Sequence, residues 1–171
     1  GVSALGSSAN RNFISNAAFV VTPEGVLVVD ALGSPALALE LLAETVNVQS
    51  ATENLPGVRA VGEIYAREFR ALGFETRWVD VPAEMRRAGH LVATHRGKRD
   101  GPRLLLIGHL DTVLQGEPFR RDGNRAYGTG SSDMKGGNLV ALEALRALQA
   151  TGELRAMNVT VVFTGDEEDP G

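Results

Sequence analysis

Two short apolar runs, Leu104-Leu105-Leu106-Ile107 and Val159-Thr160-Val161-Val162-Phe163, constrain the fold of this chain more than any other feature. Each is a short continuous stretch that suits a strand buried on both faces. Between them, Asn138 to Ala150 is rich in leucine and alanine and is stopped by Gly152, which reads as a helix. Buried strands alternating with helices predict an α/β fold, here a three-layer sandwich with a largely parallel mixed sheet.

Further elements are legible upstream. Val58 to Leu72 has Val61, Ile64, Tyr65 and Phe69 on one helical face, with Gly73 as its stop. Phe74 to Val81 and His90 to His95 read as strands, and Gln49 to Gly57 as a polar loop. Near the start, Ala18–Thr22 and Val26–Asp30 flank a turn at Pro23-Glu24-Gly25 and predict a hairpin. Ser34-Pro35 then opens a helix through Leu39, Leu42 and Val46. Charged residues are sparse before residue 42 and frequent after it, which suggests a hairpin-helix segment over 1–41 and a second unit over 42–171.

Composition excludes several functions. Lys and Arg number 17 against 21 Asp and Glu, and no basic run could track phosphates, so no nucleic-acid partner is expected. No apolar stretch approaches the roughly 20 residues of a membrane helix, so no membrane partner is expected either. Gly1 to Asn12 lacks the charged and apolar regions of a secretory signal. The compartment is left open by the sequence, with the cytoplasm favoured over the periplasm, which would apply if a signal peptide was removed. Cysteine is absent and there are three His, so a metal would have to be held by imidazole and carboxylates.

Three polar clusters follow strand or loop signals, where ligands gather in open α/β sheets. The first is Gly108-His109-Leu110-Asp111-Thr112-Val113. Residues two apart in an extended chain point the same way, so Asp111 can orient the His109 imidazole and leave its other nitrogen for a metal. A His–Asp pair that only satisfies a strand end fits equally well. The second is Tyr127 to Gly137, with Asp133 among glycines. It departs from the phosphate-loop pattern because Lys135 precedes two glycines, and from the dinucleotide pattern because the third glycine would fall on Asp133. A metal-binding carboxylate and an ordinary glycine-rich connector both remain open. The third, Gly165-Asp166-Glu167-Glu168, sets adjacent carboxylates at the end of the second apolar strand. In isolation such runs are more often solvated loops. Together the clusters offer one imidazole and several carboxylates, a mixture that Zn²⁺ accepts, and two metals can share one bridging carboxylate.

The segments Leu104–Val113, Tyr127–Gly137 and Phe163–Glu168 resemble, in order and spacing, the glutamate carboxypeptidase/aminoacylase family of two-zinc hydrolases. The likeness covers roughly 42–171, the front half of that family's catalytic domain. It implies that His109 ligates one zinc, with Asp111 orienting it, and that Asp133 bridges both. Glu167 would then be the general base and Glu168 a ligand of the second zinc. Co²⁺ or Mn²⁺ would be substitutes. It also implies a cis peptide at Asp133–Met134. The expected reaction is hydrolysis of an amide in a small peptide or an N-acylated amino acid.

The family's further acidic ligand and final His fall beyond Gly171, and His90 and His95 read as ordinary strand residues. Each zinc would keep two protein ligands here, so weak zinc binding and little turnover are expected of the truncated domain. Asn12 to Gly33 looks like the opening hairpin of a metallo-β-lactamase-fold protein, without that fold's His cluster. The competing, non-catalytic expectation is an α/β module that self-associates through an exposed sheet edge.

Overall fold

A computed structural model describes residues 2–3, 18–22, 25–29, 35–123 and 125–170. The expected turn residues Pro23 and Glu24, the Ser34 cap and Asn124 lie outside the described residues. The expected hairpin is present as β2 (Ala18–Thr22) antiparallel to β3 (Gly25–Val29), and β1 (Val2–Ser3) adds a third strand beside β2.

Helix α1 (Pro35–Val46) starts at the expected proline and crosses residue 42 without a break. Helix α2 (Leu55–Ala71) begins three residues before the expected Val58. Asn54 accounts for the shift: its side-chain oxygen accepts from the Gly57 N–H at 3.3 Å, and Pro56 sits in the first turn, where its missing N–H costs nothing. Gly73 follows at φ +83°, a left-handed turn that only glycine adopts freely, and the chain reverses into β4 (Glu75–Val79).

Strands β4, β5 (His90–His95), β6 (Arg103–His109) and β9 (Asn158–Thr164) form the central sheet in the order β4-β5-β9-β6. The α/β class and the mixed sheet hold, but the strand directions differ from expectation. Only β6–β9 is parallel, whereas β4–β5 and β5–β9 are antiparallel. The reason is connectivity: an α-helix, α3 (Lys135–Ala150), crosses between β6 and β9, whereas β4 returns to β5 through a loop with only a single 3-10 turn at Ala83–Met85. A small hairpin of β7 (Arg120–Asp122) and β8 (Arg125–Tyr127) lies outside this sheet.

One cluster joins Val58, Val61, Tyr65 and Phe69 of α2 and Leu139, Leu142 and Leu145 of α3 to Leu91, Ala93, Val159, Val161 and Phe163 of the sheet. Aromatic packing ties it together, with Tyr65 and Phe163 edge-on at 5.3 Å. Among the described residues, helices cover this face alone. On β6, Leu104 and Leu106 pack toward the core, while Leu105 and Ile107 are 58% and 68% exposed. The run expected to be buried on both faces is therefore buried on one.

Candidate metal centre

Three strand and loop ends meet above β6 and β9. His109 is the last residue of β6, and Asp111 follows it. Close packing of α3 fixes this point. Asn138 donates its side-chain amide to the His109 carbonyl at 2.6 Å, and a Cβ on Gly108 would lie 2.2 Å from the Asn138 side-chain oxygen. A glycine is needed there for helix and strand to approach.

The His109 ring is held from both sides. Its Nδ1 lies 3.1 Å from the Asp111 carbonyl oxygen and 3.4 Å from Asp111 Oδ1. Its Nε2 lies 3.1 Å from Asp133 Oδ1 and 3.8 Å from Glu167 Oε2. Burial acts against the charged imidazole, but hydrogen bonds with Asp111 and Asp133 outweigh it and raise the His109 pKa to about 9.

Asp111 is fully buried, and its carboxylate joins separate parts of the chain. It accepts from Thr52 Oγ1 at 2.7 Å, from the Glu167 N–H at 3.2 Å and from the Glu168 N–H at 3.1 Å. Burial alone would raise its pKa. The bonds from His109, Thr52 and the two amides more than offset that and hold the carboxyl below its usual value.

Asp133 sits on a tight turn whose Gly130, at φ +77°, packs against Thr112 and Lys135. The Asp133–Met134 peptide is cis, as the family resemblance implies. Helix α3 begins at Lys135 rather than the expected Asn138, so the two glycines after Lys135 are helical. The Lys135 side chain is buried, donates to the Val48 carbonyl at 2.9 Å, and is pushed down to a pKa of about 8 by that burial.

The acidic segment is held by side chains. Arg87 donates to the Asp169 carbonyl and carboxylate, both at 2.8 Å, and His90 Nδ1 lies 3.7 Å from Asp166 Oδ1. Ligand-type atoms of His109, Glu167 and Glu168 lie within 4.8 Å of one another. Burial and the nearby Asp133, Glu167 and Asp111 raise the Glu168 pKa, with the His109 charge acting in the opposite sense. Asp133 and Glu167 point into solvent, with side chains 78% and 59% exposed. One imidazole nitrogen and clustered carboxylate oxygens, open on one side, suit a borderline cation such as Zn²⁺.

The structure thus brings together all five residues singled out in the sequence. It also adds one that the motifs do not reveal, Thr52, and buries Lys135 of the second cluster beside the site. Nothing local marks Thr52, which lies 59 residues before its partner Asp111.

A mixed α/β domain with acidic and imidazole groups gathered at its strand ends belongs, as a class, with the metallohydrolases. The family is more specific. Residues 105–171 match Peptidase family M20/M25/M40. Carboxypeptidase G2 of Pseudomonas sp. (strain RS-16) is 34% identical over 161 residues, 91% of this chain, so the likeness begins before residue 42. A succinyl-diaminopimelate desuccinylase of Leptothrix cholodnii is 31% identical over 141 residues, 77% of this chain. Among solved structures, human carnosine dipeptidase 1 superposes with a TM-score of 0.69 at 20% identity, covering 78% of this chain and 32% of its own, and shares the fold. The chain belongs to the M20/M25/M40 metallopeptidase family. It spans 38% and 36% of the lengths of the carboxypeptidase and the desuccinylase. No helix among the described residues is long and apolar enough to cross a membrane.

Proposed function

We propose that this chain carries the zinc-binding part of a hydrolase that cleaves the amide of a small peptide or an N-acylated amino acid. The observation that carries the reading is the convergence of His109, Glu167 and Glu168 within 4.8 Å, with Asp133 at 3.1 Å from the imidazole. Carboxylates so placed repel one another unless a cation lies among them. The names of the relatives, a carboxypeptidase and desuccinylases, support amide hydrolysis and both substrate types.

In this reading His109 and Asp133 would hold one zinc, and Asp133 and Glu168 would hold a second. Zinc in such a site supplies Lewis acidity, polarising a carbonyl and making water acidic near neutral pH. Asp111 fixes the His109 ring so that Nε2 faces the centre. Glu167, exposed and beside the imidazole, takes the proton from water and returns it to the departing amine. Glu168 neutralises cation charge and keeps its place through its backbone bond to Asp111.

Among the described residues two of these side chains reach each ion, where catalytic zinc usually has three, so weak zinc binding is the expected outcome. The test is equilibrium zinc binding combined with a panel of dipeptides and N-acyl amino acids. Saturable binding that His109→Ala and Glu168→Gln each weaken is expected. Binding unaffected by both variants would overturn the assignment.

A second reading has one observation in its favour. Leu105 and Ile107 are exposed on β6, an end strand of the central sheet among the described residues. An apolar edge of this kind invites a second copy. Sedimentation of wild type and Ile107→Lys distinguishes it: self-association that the lysine abolishes is the expected result of this reading, and a wild-type monomer removes it.

A further inference from the structure

We propose that Thr52 is a positioning residue of the metal centre, acting through Asp111. The inference rests on the reading of these strand ends as a metal site, and it identifies what holds their spacing.

The Asp111 carboxylate, fully buried, touches both arms of the centre. It contacts the His109 ring on the β6 side and accepts the backbone amides of Glu167 and Glu168 on the β9 side. Small rotations of that carboxylate therefore move imidazole and glutamates relative to each other. At 2.7 Å, the Thr52 hydroxyl makes the shortest of the hydrogen bonds that Asp111 accepts. Hydrogen bonds to an ionised acceptor are the strong ones, and this one is buried at both ends.

The hydroxyl is itself fixed by backbone. Thr52 N donates to the Thr112 carbonyl at 3.2 Å, and Thr112 N donates to the Ser50 carbonyl at 2.9 Å. Ala51 and Thr112 form a parallel bridge between the same segments. The connector from Val48 to Thr52 thus lies alongside the chain directly after Asp111. It also reaches the third arm, since the Val48 carbonyl accepts the Lys135 ammonium from the turn that carries Asp133. Two of the polar clusters are braced directly against one connector between α1 and α2, the third reaches it through Asp111, and Thr52 is the connector's contact with that carboxylate.

The test compares wild type, Thr52→Val and Thr52→Ser, because valine keeps the shape and removes the donor. Co²⁺ titration is followed by the ligand-field spectrum, and amide hydrogen exchange is measured on the metal-free chain. Thr52→Val should weaken Co²⁺ binding about 10- to 100-fold, as loss of an outer hydrogen-bond partner typically does, and alter the spectrum. Exchange at the Glu167 and Glu168 amides should rise roughly tenfold, the effect of losing one charge-assisted bond, while core amides of α2 are unchanged. Thr52→Ser should restore both.

Unchanged exchange at Glu167 and Glu168 in Thr52→Val overturns the inference, whether or not metal binds. A uniform rise across all amides also overturns it, since that is a merely structural role. A wild-type chain that binds no Co²⁺, with the selective loosening still seen in Thr52→Val, would remove the metal reading and leave intact the role of Thr52 in holding Asp111.

Discussion

On the helical side of the molecule, Glu44, Glu68 and Glu143 each face an arginine. Arg67 grips both oxygens of Glu44, at 2.9 and 2.8 Å, and reaches Glu68 at 2.7 Å. Arg146 bridges Glu68 to the buried Glu143 and so links α2 to α3. At the strand ends, Asp133, Glu167 and Glu168 gather around a single imidazole, and no Arg or Lys side chain among the described residues is bonded to them. Lys135, two residues from Asp133, turns its ammonium away to the Val48 carbonyl. The contrast separates carboxylates paired with arginines from carboxylates that crowd around a single imidazole, which the proposed reading leaves for a metal cation. Acidic residues are common in both places, so their number says nothing. Their partners decide.

The contrast can be broken most sharply at Glu167. With zinc-loaded protein and measurable amide hydrolysis, Glu167→Gln should lower kcat by about 10²–10⁴-fold, the usual cost of a lost general base, with metal content unchanged. Glu168→Gln should lose metal instead. Equal metal loss in the two variants would mean that their roles are misassigned.

A second test removes a partner on the helical side. Arg146→Met leaves the buried Glu143 without its cation and should cost about 3 kcal/mol in urea unfolding, near the lower end for breaking a buried pair. Removing Glu143 and Arg146 together, as Glu143→Leu with Arg146→Met, should recover much of that loss. If the single variant is harmless, these ion pairs are surface ornament and the comparison loses one side.

Zinc itself should stabilise one cluster and not the other. At 100 times its Kd, zinc should add about 2.7 kcal/mol to unfolding free energy, and a chelator should reverse it. His109→Ala should abolish the effect, whereas Arg146→Met should leave the increment intact. An increment that survives His109→Ala places the ion elsewhere.

The smallest expected effect is at Glu44. Its hydrogen bonds to Arg67 hold the carboxyl below its usual value, against a modest opposing effect of burial. A group whose folded pKa is depressed stabilises at pH above its unfolded value of 4.5, and that contribution is lost as pH falls through the folded value. The pair is largely exposed, so Glu44→Gln should cost about 0.5 kcal/mol at pH 7 and nothing in strong acid. A cost that persists in acid would show that packing, rather than charge, is responsible.

The sequence alone determined where strands and helices lie along most of the chain, because apolar periodicity and turn residues act locally. It placed β5 at His90–His95 and put polar clusters after both central strands. The spacing of His109 and Asp111 followed from the two-residue period of an extended chain. Other features depended on residues distant in sequence. The antiparallel return of β4 onto β5, and the exposure of Leu105 and Ile107, depend on which elements cover which face. An apolar run records only that burial is favourable, not that a layer is there to provide it. The early start of α3, the burial of Lys135 and the bond from Thr52 to Asp111 likewise arise between segments that meet only after folding. Hydrogen bonds of this kind are fixed by distance and angle, and a one-dimensional pattern carries neither.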